Sequence, residues 1–375
     1  MSDLLIISTS SSDFHMLKTL SMELSKSQKV DFLCFFKPNE IDIEELKNHK
    51  INLKVENLNL SYKSDNTKSI TKDLQKIQNK FGQILIKSNH KVFVVLGDRY
   101  ELLPVVQQIY LKKRIIIHLH GGEITQDSWD DSIRHSISKL SHIHFVASSQ
   151  AKKVLIKMGE QSNNIFNYGS LGAQNTKKLT IIEKDEIFKL LETKPELKTC
   201  LLVLQPMTNT SFDTNKNLDT IVNFLVENKF NQLLVSNVNS DPGGKDIRNY
   251  FSTHVNKKIS YKFLETLGAQ KYISLAKHSD LVIGNSSSFI FELPVKNIKS
   301  ILITNRQKGR NLSPHVLPAQ ITKKSLNNSY MKLQQSNTVA SSQYYKSNTA
   351  ANISNKINEK LANPPEFRKV FRYEK

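Results

Sequence analysis

A dense cluster of polar side chains follows a short apolar run near residue 96. Gly97-Asp98-Arg99-Tyr100-Glu101 comes directly after the apolar residues 92–96. Glycine permits a sharp turn, an aspartate at that place can cap a helix while it projects into a cleft, and an arginine can bind a carboxylate or a phosphate. A capping Asp98 with a surface Arg99 is the alternative, and this motif alone does not exclude it.

Two histidines and a glutamate end the next apolar run. The chain reads His118-Leu119-His120-Gly121-Gly122-Glu123, and the alternation of a strand predicts His118 and His120 on one face. The two glycines let the backbone turn and present Glu123 over the strand ends. Because no third ligand at a characteristic spacing accompanies them, we favour acid/base or hydrogen-bonding roles over a metal site.

A third polar cluster is Trp129-Asp130-Asp131-Ser132-Ile133-Arg134-His135. Asp130 and Arg134 stand four residues apart, so on one helix face they are predicted to pair. A solvated helix with one ion pair is the alternative. Polar clusters at several successive strand ends favour a functional cleft instead.

The second half of the chain carries groups suited to a nucleotide diphosphate. Gly284-Asn285-Ser286-Ser287-Ser288 follows an apolar run, and backbone N–H groups and hydroxyls at a helix start can bind an anion. Glu292, one turn further, can accept from the two hydroxyls of a ribose, while Arg306 and Arg310 add positive charge. Asn239-Ser240-Asp241-Pro242-Gly243-Gly244 is by itself only a turn.

The elements that position these groups are predicted from hydrophobic periodicity. Short apolar runs alternate with amphipathic segments, as in βα units that build parallel sheets. We expect an α/β protein with two Rossmann-like domains, residues 1–176 and 177–375, that face a central cleft, and a polar C-terminal extension that packs back on the first domain. The predicted strands are 4–8, 30–35, 52–55, 92–96, 115–118, 144–147 and 166–168 in the first half, and 200–204, 233–236, 259–263, 281–283 and 300–303 in the second. Residues beyond Val316 read as polar, with one helix near residues 353–361.

Composition excludes several classes of protein. The 375 residues are 38% hydrophobic, and no apolar run approaches the length that spans a bilayer. The net charge of +19 comes from dispersed lysines rather than clustered arginines, so we expect no nucleic-acid partner. Residues 1–8 are typical of a first strand rather than a signal peptide, and we expect a cytoplasmic protein. Cys34 and Cys200 lie in apolar runs and are predicted to be buried free thiols.

Taken together, these motifs resemble the hydrolysing UDP-N-acetylglucosamine 2-epimerases of sialic- and legionaminic-acid pathways, and the resemblance extends to about Leu312. It implies a glycosyltransferase-B-like fold, no cofactor, no metal, UDP bound to the second domain, and a homo-oligomer, either dimer or tetramer. The implied reaction removes the C2 proton of a UDP-N-acetyl hexosamine, expels UDP by anti elimination and hydrates the glycal. The implied acid/base residues are Asp98, Glu123 and Asp130, supported by Arg134. The implied substrate-binding residues are Arg99, His118, His120, Gln205, Asn239, Asp241, Asn285, Ser286, Ser287, Glu292, Arg306 and Arg310.

The chain departs from this family pattern at two phosphate-side positions. Ser11 stands where the family has arginine, and Gln205 precedes Pro206 where the family has histidine. Leu171 and Gln174 replace an expected proline and aspartate. Three alternatives therefore stay open: the same chemistry on UDP-N,N'-diacetylbacillosamine, a retaining glycosyltransferase, and a sugar-nucleotide-binding protein without catalysis.

Overall fold

Two parallel β-sheets with helices on both faces make up the molecule. The computed structural model describes residues 3–58, 60, 67–126, 128–207, 212–238, 243–253, 258–336 and 342–370. Its strands are β1 Leu4–Ser8, β2 Asp31–Cys34, β3 Asn52–Val55, β4 Val92–Leu96, β5 Ile115–Leu119, β6 Ile143–Val146, β7 Ile165–Asn167, β8 Thr199–Val203, β9 Gln232–Val235, β10 Ser260–Phe263, β11 Leu281–Gly284, β12 Ser300–Ile303 and β13 Val316–Ala319.

The helices fill the connections between these strands. They are α1 Ser11–Leu24, α2 Glu40–Asn48, α3 Thr67–Ile86, α4 Leu102–Leu111, α5 Asp130–Leu140, α6 Ser149–Lys157, α7 Leu171–Lys178, α8 Lys184–Leu190, α9 Thr214–Glu227, α10 Gly244–Thr253, α11 Gly268–His278, α12 Ser288–Phe291, α13 Lys323–Gln335 and α14 Thr349–Ala362. Short 3₁₀ turns occupy Ser162–Asn164 and Leu293–Lys296. No helix in the described ranges is long and apolar enough to cross a membrane.

Both sheets repeat one strand order. The first runs β3-β2-β1-β4-β5-β6-β7 and the second β10-β9-β8-β11-β12-β13, and every pairing is parallel. In each sheet the order reverses beside the first strand, which opens a crevice at the carboxyl ends of the strands. The predicted α/β class with two Rossmann-like halves is confirmed.

Apolar side chains cover both faces of each sheet. In the first sheet, Ile6 and Val94 face α1, whereas Val95 and Ile116 face α3 and α4. Continuous apolar strands such as Val92–Leu96, buried along their whole length, are what a sheet covered on both faces requires. Cys34 and Cys200 are buried free thiols, as predicted.

The last helix returns to the first sheet. Ile353 and Ile357 of α14 lie in the same apolar cluster as Leu17 and Leu20 of α1, and the Gln28 amide donates to Asn358 Oδ1 at 2.7 Å. Gln174, which stands where the family has an aspartate, accepts a hydrogen bond through its side-chain oxygen from the backbone N–H of Ala350 at 2.9 Å. Gln174 therefore helps to hold the first turn of α14.

Two elements were not predicted. β13 carries Pro318, which lacks an N–H, but it is the edge strand of the second sheet, where a proline is tolerated. In α13, Leu326, Tyr330 and Leu333 form the only buried apolar stripe on an otherwise polar helix. The expectation that residues beyond Val316 carry only one helix is therefore wrong.

Candidate active site

Arg134 of α5 is the anchor of the first domain's polar cluster. Its Nε lies 3.0 Å from Asp98 Oδ2, and its second terminal nitrogen also bonds that carboxylate. The guanidinium donates to the backbone oxygen of Glu123 at 2.6 Å and to Thr125 Oγ1 at 3.2 Å. Arg134 is only 1% exposed, so one buried cation fixes the loops that follow β4 and β5.

The prediction that Arg134 pairs with Asp130 is wrong, because Arg134 pairs with the neighbouring Asp131. Arg134 binds Asp131 at 3.2 Å, and Asp131 Oδ1 also accepts from the backbone N–H of Thr125 at 2.6 Å. Asp130, at the first position of α5, accepts instead from Ser128 Oγ at 2.7 Å. Spacing alone cannot distinguish neighbouring carboxylates at i,i+3 and i,i+4, because both can reach the same arginine.

Glu123 is presented by a turn that requires glycine. Gly122 has φ +78°, and a Cβ there would lie 2.3 Å from the backbone oxygen of Ala151. Glu123 is 3% exposed, and its Oε1 accepts from Ser148 Oγ at 2.9 Å. The hydroxyl at the start of α6 thus orients the carboxylate that the turn delivers.

Arginines from the second domain reach these carboxylates across the cleft. Arg310 Nε lies 3.4 Å from Glu123 Oε2, and Arg306 lies 3.4 Å from Asp130 Oδ2. In the same loop, Gln307 donates to the backbone oxygen of Asn285 at 2.9 Å. The 304–310 loop therefore touches both the acid/base candidates and the serine-rich turn.

Three carboxyl groups in the cleft differ in proton affinity. Burial alone would raise the pKa of Asp98, but Arg134, Arg310 and Arg306 outweigh it and hold that pKa below its usual range. Burial raises the pKa of Asp13 to about 7, although Arg99 and Ser10 oppose the shift. Burial likewise raises the pKa of Glu292 to about 7. A fixed anion and two exchangeable protons thus share the cleft.

Asp13 is a site residue that the sequence reasoning missed. It lies in the first turn of α1 and accepts a hydrogen bond from Ser10 Oγ at 2.8 Å. Its carboxylate faces Gly97, because a Cβ placed on Gly97 would lie 4.0 Å from Asp13 Oδ1. The available signal was an aspartate three residues after Ser10, directly behind β1. An N-terminal helix acid is so common that its sequence position alone would not have distinguished it.

Asp98 does not take the helix-capping position considered for it, whereas Arg99 binds a carboxylate, as its type allows. Asp98 does not cap α4, which begins at Leu102 with no side-chain cap, because Arg134 holds its carboxylate instead. Arg99 does bind a carboxylate, that of the fully buried Glu101 at 2.8 Å. The charge of Arg99 also opposes the burial that raises the pKa of Asp13.

The two histidines do not share a face. β5 ends at Leu119, and His120 has φ +62°, which breaks the strand alternation. His118 is fully buried, with Nε2 2.8 Å from the Gly97 backbone oxygen and Nδ1 3.1 Å from Ser138 Oγ. Both ring nitrogens thus have protein partners, and His118 positions the Gly97 backbone, while its role in substrate binding stays a prediction. His120 stacks on Phe291 of the second domain, and burial lowers its pKa to about 4, so its ring is neutral.

The serine-rich turn of the second domain is held by close backbone contact. A Cβ on Gly284 would lie 2.1 Å from the Val203 backbone oxygen, so β11 and β8 can approach only with glycine at this position. Asn285 is fully buried and uses its amide on the Gln205 backbone, accepting at 2.7 Å and donating at 2.8 Å. Asn285 therefore joins the two loops, and its role in substrate binding stays a prediction.

Ser286, Ser287 and Glu292 remain open to the cleft. Ser287 is exposed and Ser286 is partly exposed. The Gln205 side chain donates to the Asn237 backbone oxygen at 3.3 Å. Glu292 has its Oε1 only 3.5 Å from the position for a Cβ on Gly172, at the start of α7. Asn239 and Asp241 lie outside the described residues.

Tyr344 is a second residue that the sequence reasoning missed. It comes from the segment between α13 and α14, packs edge-on against Phe291 at 4.7 Å, and is 2% exposed. Burial and the nearby Glu123 raise the pKa of its phenol, against the effect of Arg310. Its distance along the chain from the other groups left no sequence signal. Across the described ranges, no group of three or more His, Cys, Asp or Glu side chains could hold a metal ion.

Comparisons with known proteins agree with this architecture. The structure superposes on the S. aureus MnaA–UDP co-structure with a TM-score of 0.76 at 15% identity, covering 96% of this chain and 97% of that one. At that identity the likeness establishes the fold alone, which is glycosyltransferase-B-like.

Sequence relatives identify the family. A "GDP/UDP-N,N'-diacetylbacillosamine 2-epimerase (hydrolyzing)" of Campylobacter jejuni is 38% identical over 61% of this chain and 60% of its own length, so the match leaves part of that relative unmatched. The polysialic acid biosynthesis protein P7 of Escherichia coli is 31% identical over 77% of this chain and 73% of its own. The family model for UDP-N-acetylglucosamine 2-epimerase matches residues 35–358. This chain belongs to the UDP-N-acetylglucosamine 2-epimerase family.

Proposed function

We propose that the protein is a hydrolysing 2-epimerase that converts a UDP-N-acetyl hexosamine into UDP and the free 2-epimer sugar. The observation that carries the proposal is the cleft itself. Asp98 and Glu123, fixed by Arg134, face the 304–310 loop, which in turn contacts the serine-rich turn. An elimination needs a base near the sugar and positive charge near the departing diphosphate, and the two halves offer these separately.

The proposed reaction balances in two steps. A carboxylate takes the C2 proton, the C–H electrons form the C1=C2 bond, and the C1–O bond breaks so that UDP leaves with its electron pair. Water then adds its oxygen to C1, a carboxylic acid gives a proton to C2 on the opposite face, and a proton from the water restores that acid. The base releases its proton to solvent, so one proton is released for each UDP formed.

Residue roles follow from the charges of the cleft. Asp98 and Glu123, both bonded to arginine, suit the anionic base and its support. Asp13 holds a proton near neutral pH and suits the acid that protonates C2. Arg306 and Arg310 would leave their carboxylate partners to meet the diphosphate, where Arg forms bidentate bonds. Ser286, Ser287 and Glu292 suit the phosphates and the ribose.

The division of labour is also proposed. Residues 1–176 would supply the acid/base groups and residues 177–375 the UDP site, with α14 returning to the first domain. The homo-oligomer implied by the family resemblance belongs to the same proposal, and light scattering of the full chain would measure it.

Two sugar nucleotides are candidate substrates for the proposed reaction. UDP-N-acetylglucosamine fits the family name, whereas the name of the Campylobacter jejuni relative supports UDP-N,N'-diacetylbacillosamine, which carries a second acetamido group at C4. Incubating the full chain with each sugar nucleotide and measuring UDP and free sugar separates them. A much higher kcat/KM for one of the two sugar nucleotides identifies it as the substrate. If neither sugar nucleotide releases UDP, the proposal is refuted.

Ser11 and Gln205 give a test of the alternative without catalysis. A binding protein whose catalysis was lost at these positions should gain turnover when Ser11→Arg and Gln205→His are combined, whereas a competent enzyme adapted to its own substrate should not. We expect the second result, because Gln205 already donates a hydrogen bond within the second-domain loops. UDP binding by calorimetry, measured on the same variants, serves as the control.

A further inference from the structure

The segment after α14 closes on the far end of α5. Lys369 Nζ donates to the backbone oxygen of Lys139 at 2.7 Å and of Ser138 at 3.4 Å, and also bonds that of Ser141. These carbonyls lie at the C-terminal end of the helix, where they carry partial negative charge, and the Ser138 oxygen also accepts from the Ser141 backbone N–H at 3.0 Å. Lys369 is therefore a cap on α5 supplied from more than 200 residues away in the chain.

The same ammonium belongs to a buried ion cluster. Glu160, whose side chain is 2% exposed, lies 2.7 Å from Lys369 Nζ, 2.8 Å from Lys139 Nζ and 3.1 Å from His144 Nε2. Burial would raise the pKa of Glu160, but His144, Lys369 and Lys139 together lower it to about 2. A buried anion with these partners stays charged and holds Lys369 at the helix end.

Ring packing fixes the backbone beside Lys369. Phe367 lies 5.3 Å from the His142 ring and 5.1 Å from the Tyr110 ring, between centroids, and its backbone oxygen is 3.2 Å from His142 Nε2. The His142 Nδ1 accepts from the backbone N–H of Ile116 in β5 at 3.1 Å. The segment is thus joined to the sheet as well as to α5.

α5 is the element on which the acid/base groups depend. Arg134 in its middle holds Asp98 and the Glu123 backbone. In its last turn, Ser138 bonds His118, and His118 bonds the Gly97 backbone oxygen directly before Asp98. Two separate connections therefore run from α5 to the Asp98 loop, and the Lys369 cap lies next to the second of them.

We propose that Lys369 is a positioning residue, which fixes the C-terminal end of α5 and through it the geometry of Asp98 and Glu123. The expected effect of Lys369 on catalysis rests on the proposed function, whereas its expected effect on the position of α5 does not. A displacement of about 1 Å at reacting groups, caused by a change far from them, can reduce a rate about 100-fold. Loss of the cap should therefore act on turnover and leave binding of UDP, on the other domain, unchanged.

Lys369→Met, Lys369→Arg and the control Arg368→Met test this in the full chain. Arg368 is the neighbouring cation and is exposed. Arg368→Met therefore removes one positive charge but leaves the Lys369 cap on α5 in place. We expect Lys369→Met to lower kcat about tenfold with KM and UDP affinity unchanged, Lys369→Arg to restore at least half, and Arg368→Met to have no effect. If Lys369→Met does not fold, Lys369→Gln, which keeps a donor and most of the volume, replaces it.

A second measurement does not depend on turnover. The chain has a single tryptophan, Trp129, directly before the first residue of α5 and 6.0 Å from the Tyr100 ring. We expect Lys369→Met to change its emission maximum and its quenching by iodide, and Arg368→Met to change neither. Unchanged Trp129 fluorescence, or a kcat within twofold of wild type in a folded Lys369→Met protein, overturns the inference. Absence of turnover in the wild type would instead refute the proposed function, and the fluorescence would still decide the structural part.

Discussion

At the scale of single residues, environment separates carboxyl groups that the sequence presents as equivalent. Asp98 is held as an anion by Arg134, whereas Asp13, beside the same loop, carries a pKa of about 7 because it is buried without an equally strong cation. Pairs of titratable groups pushed apart in this way are how one cleft provides both a base and an acid at neutral pH.

Asp13 leads to a prediction on stability and pH. Its pKa is higher in the folded protein than in the unfolded chain, so the folded state binds more protons between about pH 4 and pH 7. Its contribution to stability is therefore lost as the pH rises through that window. Asparagine does not titrate, so Asp13→Asn should become more stable relative to wild type from pH 5 to pH 8, as measured by thermal unfolding.

The matched control is Glu44→Gln, an exposed carboxylate in the middle of α2. Because the Glu44 side chain lies in solvent away from the cleft, the stability change caused by Asp13→Asn should depend more on pH than the change caused by Glu44→Gln. A constant difference for Asp13→Asn over the same range would show that the carboxyl titrates normally, and the acid role given to Asp13 would lose its basis. Activity gives a parallel readout, since the variant should lose turnover but keep UDP affinity.

Among the helices and strands, hydrophobic periodicity in the sequence predicted the positions of the strands well. All twelve predicted strands are present within one or two residues at each end, because apolar β-branched runs bounded by polar turns admit few other structures. β13 was missed because only its two end residues are buried and it contains Pro318. The shared face of His118 and His120 was wrongly predicted because β5 ends at Leu119, and a left-handed His120 leaves no mark in an apolar pattern.

The turn after β5 gives a prediction with an internal control. Gly122→Ala places a methyl group 2.3 Å from a backbone oxygen at φ +78°, whereas Gly268→Ala, at φ +73°, meets nothing within 4 Å. We expect Gly268→Ala to cost about 1 kcal/mol of unfolding free energy through backbone strain alone. Gly122→Ala should cost more, by about 2 kcal/mol or beyond, and should lower turnover because Glu123 moves.

Urea denaturation of the two glycine variants measures both costs. Equal destabilisation would mean that the 122 turn accommodates the methyl group without a steric clash, and then the position of Glu123 would not depend on glycine at 122.

At the scale of the whole molecule, the two halves are joined twice, by the cleft and by α14. Sequence periodicity suggested the paired domains but could not supply the contacts between them. Arg310 with Glu123, Arg306 with Asp130, and Tyr344 near Glu123 all join residues more than 170 positions apart. The motifs identified Glu123, Arg306 and Arg310 as candidate site residues but missed Asp13 and Tyr344. Which arginine contacts which carboxylate depends on tertiary packing, which the motifs do not encode.

The return of α14 gives a stability prediction. Ile357 is fully buried in the first domain's core, so Ile357→Ala should lower the free energy of unfolding by about 2–5 kcal/mol. Ile41→Ala, at a position 78% exposed, should change it by less than about 0.5 kcal/mol. A small effect at Ile357, measured by urea denaturation, would mean that α14 is not part of that core.

In the proposed reaction, the cleft breaks and remakes the C2–H bond of a UDP-linked sugar while water enters at C1. The most direct measurement is the reaction of the full chain with UDP-N-acetylglucosamine or UDP-N,N'-diacetylbacillosamine in deuterium oxide, followed by NMR and mass spectrometry. We expect one UDP for each free sugar, and we expect that sugar to be inverted at C2 and to carry a single deuterium there. Free sugar that keeps its original proton and configuration at C2, or no release of UDP from either substrate, would contradict it.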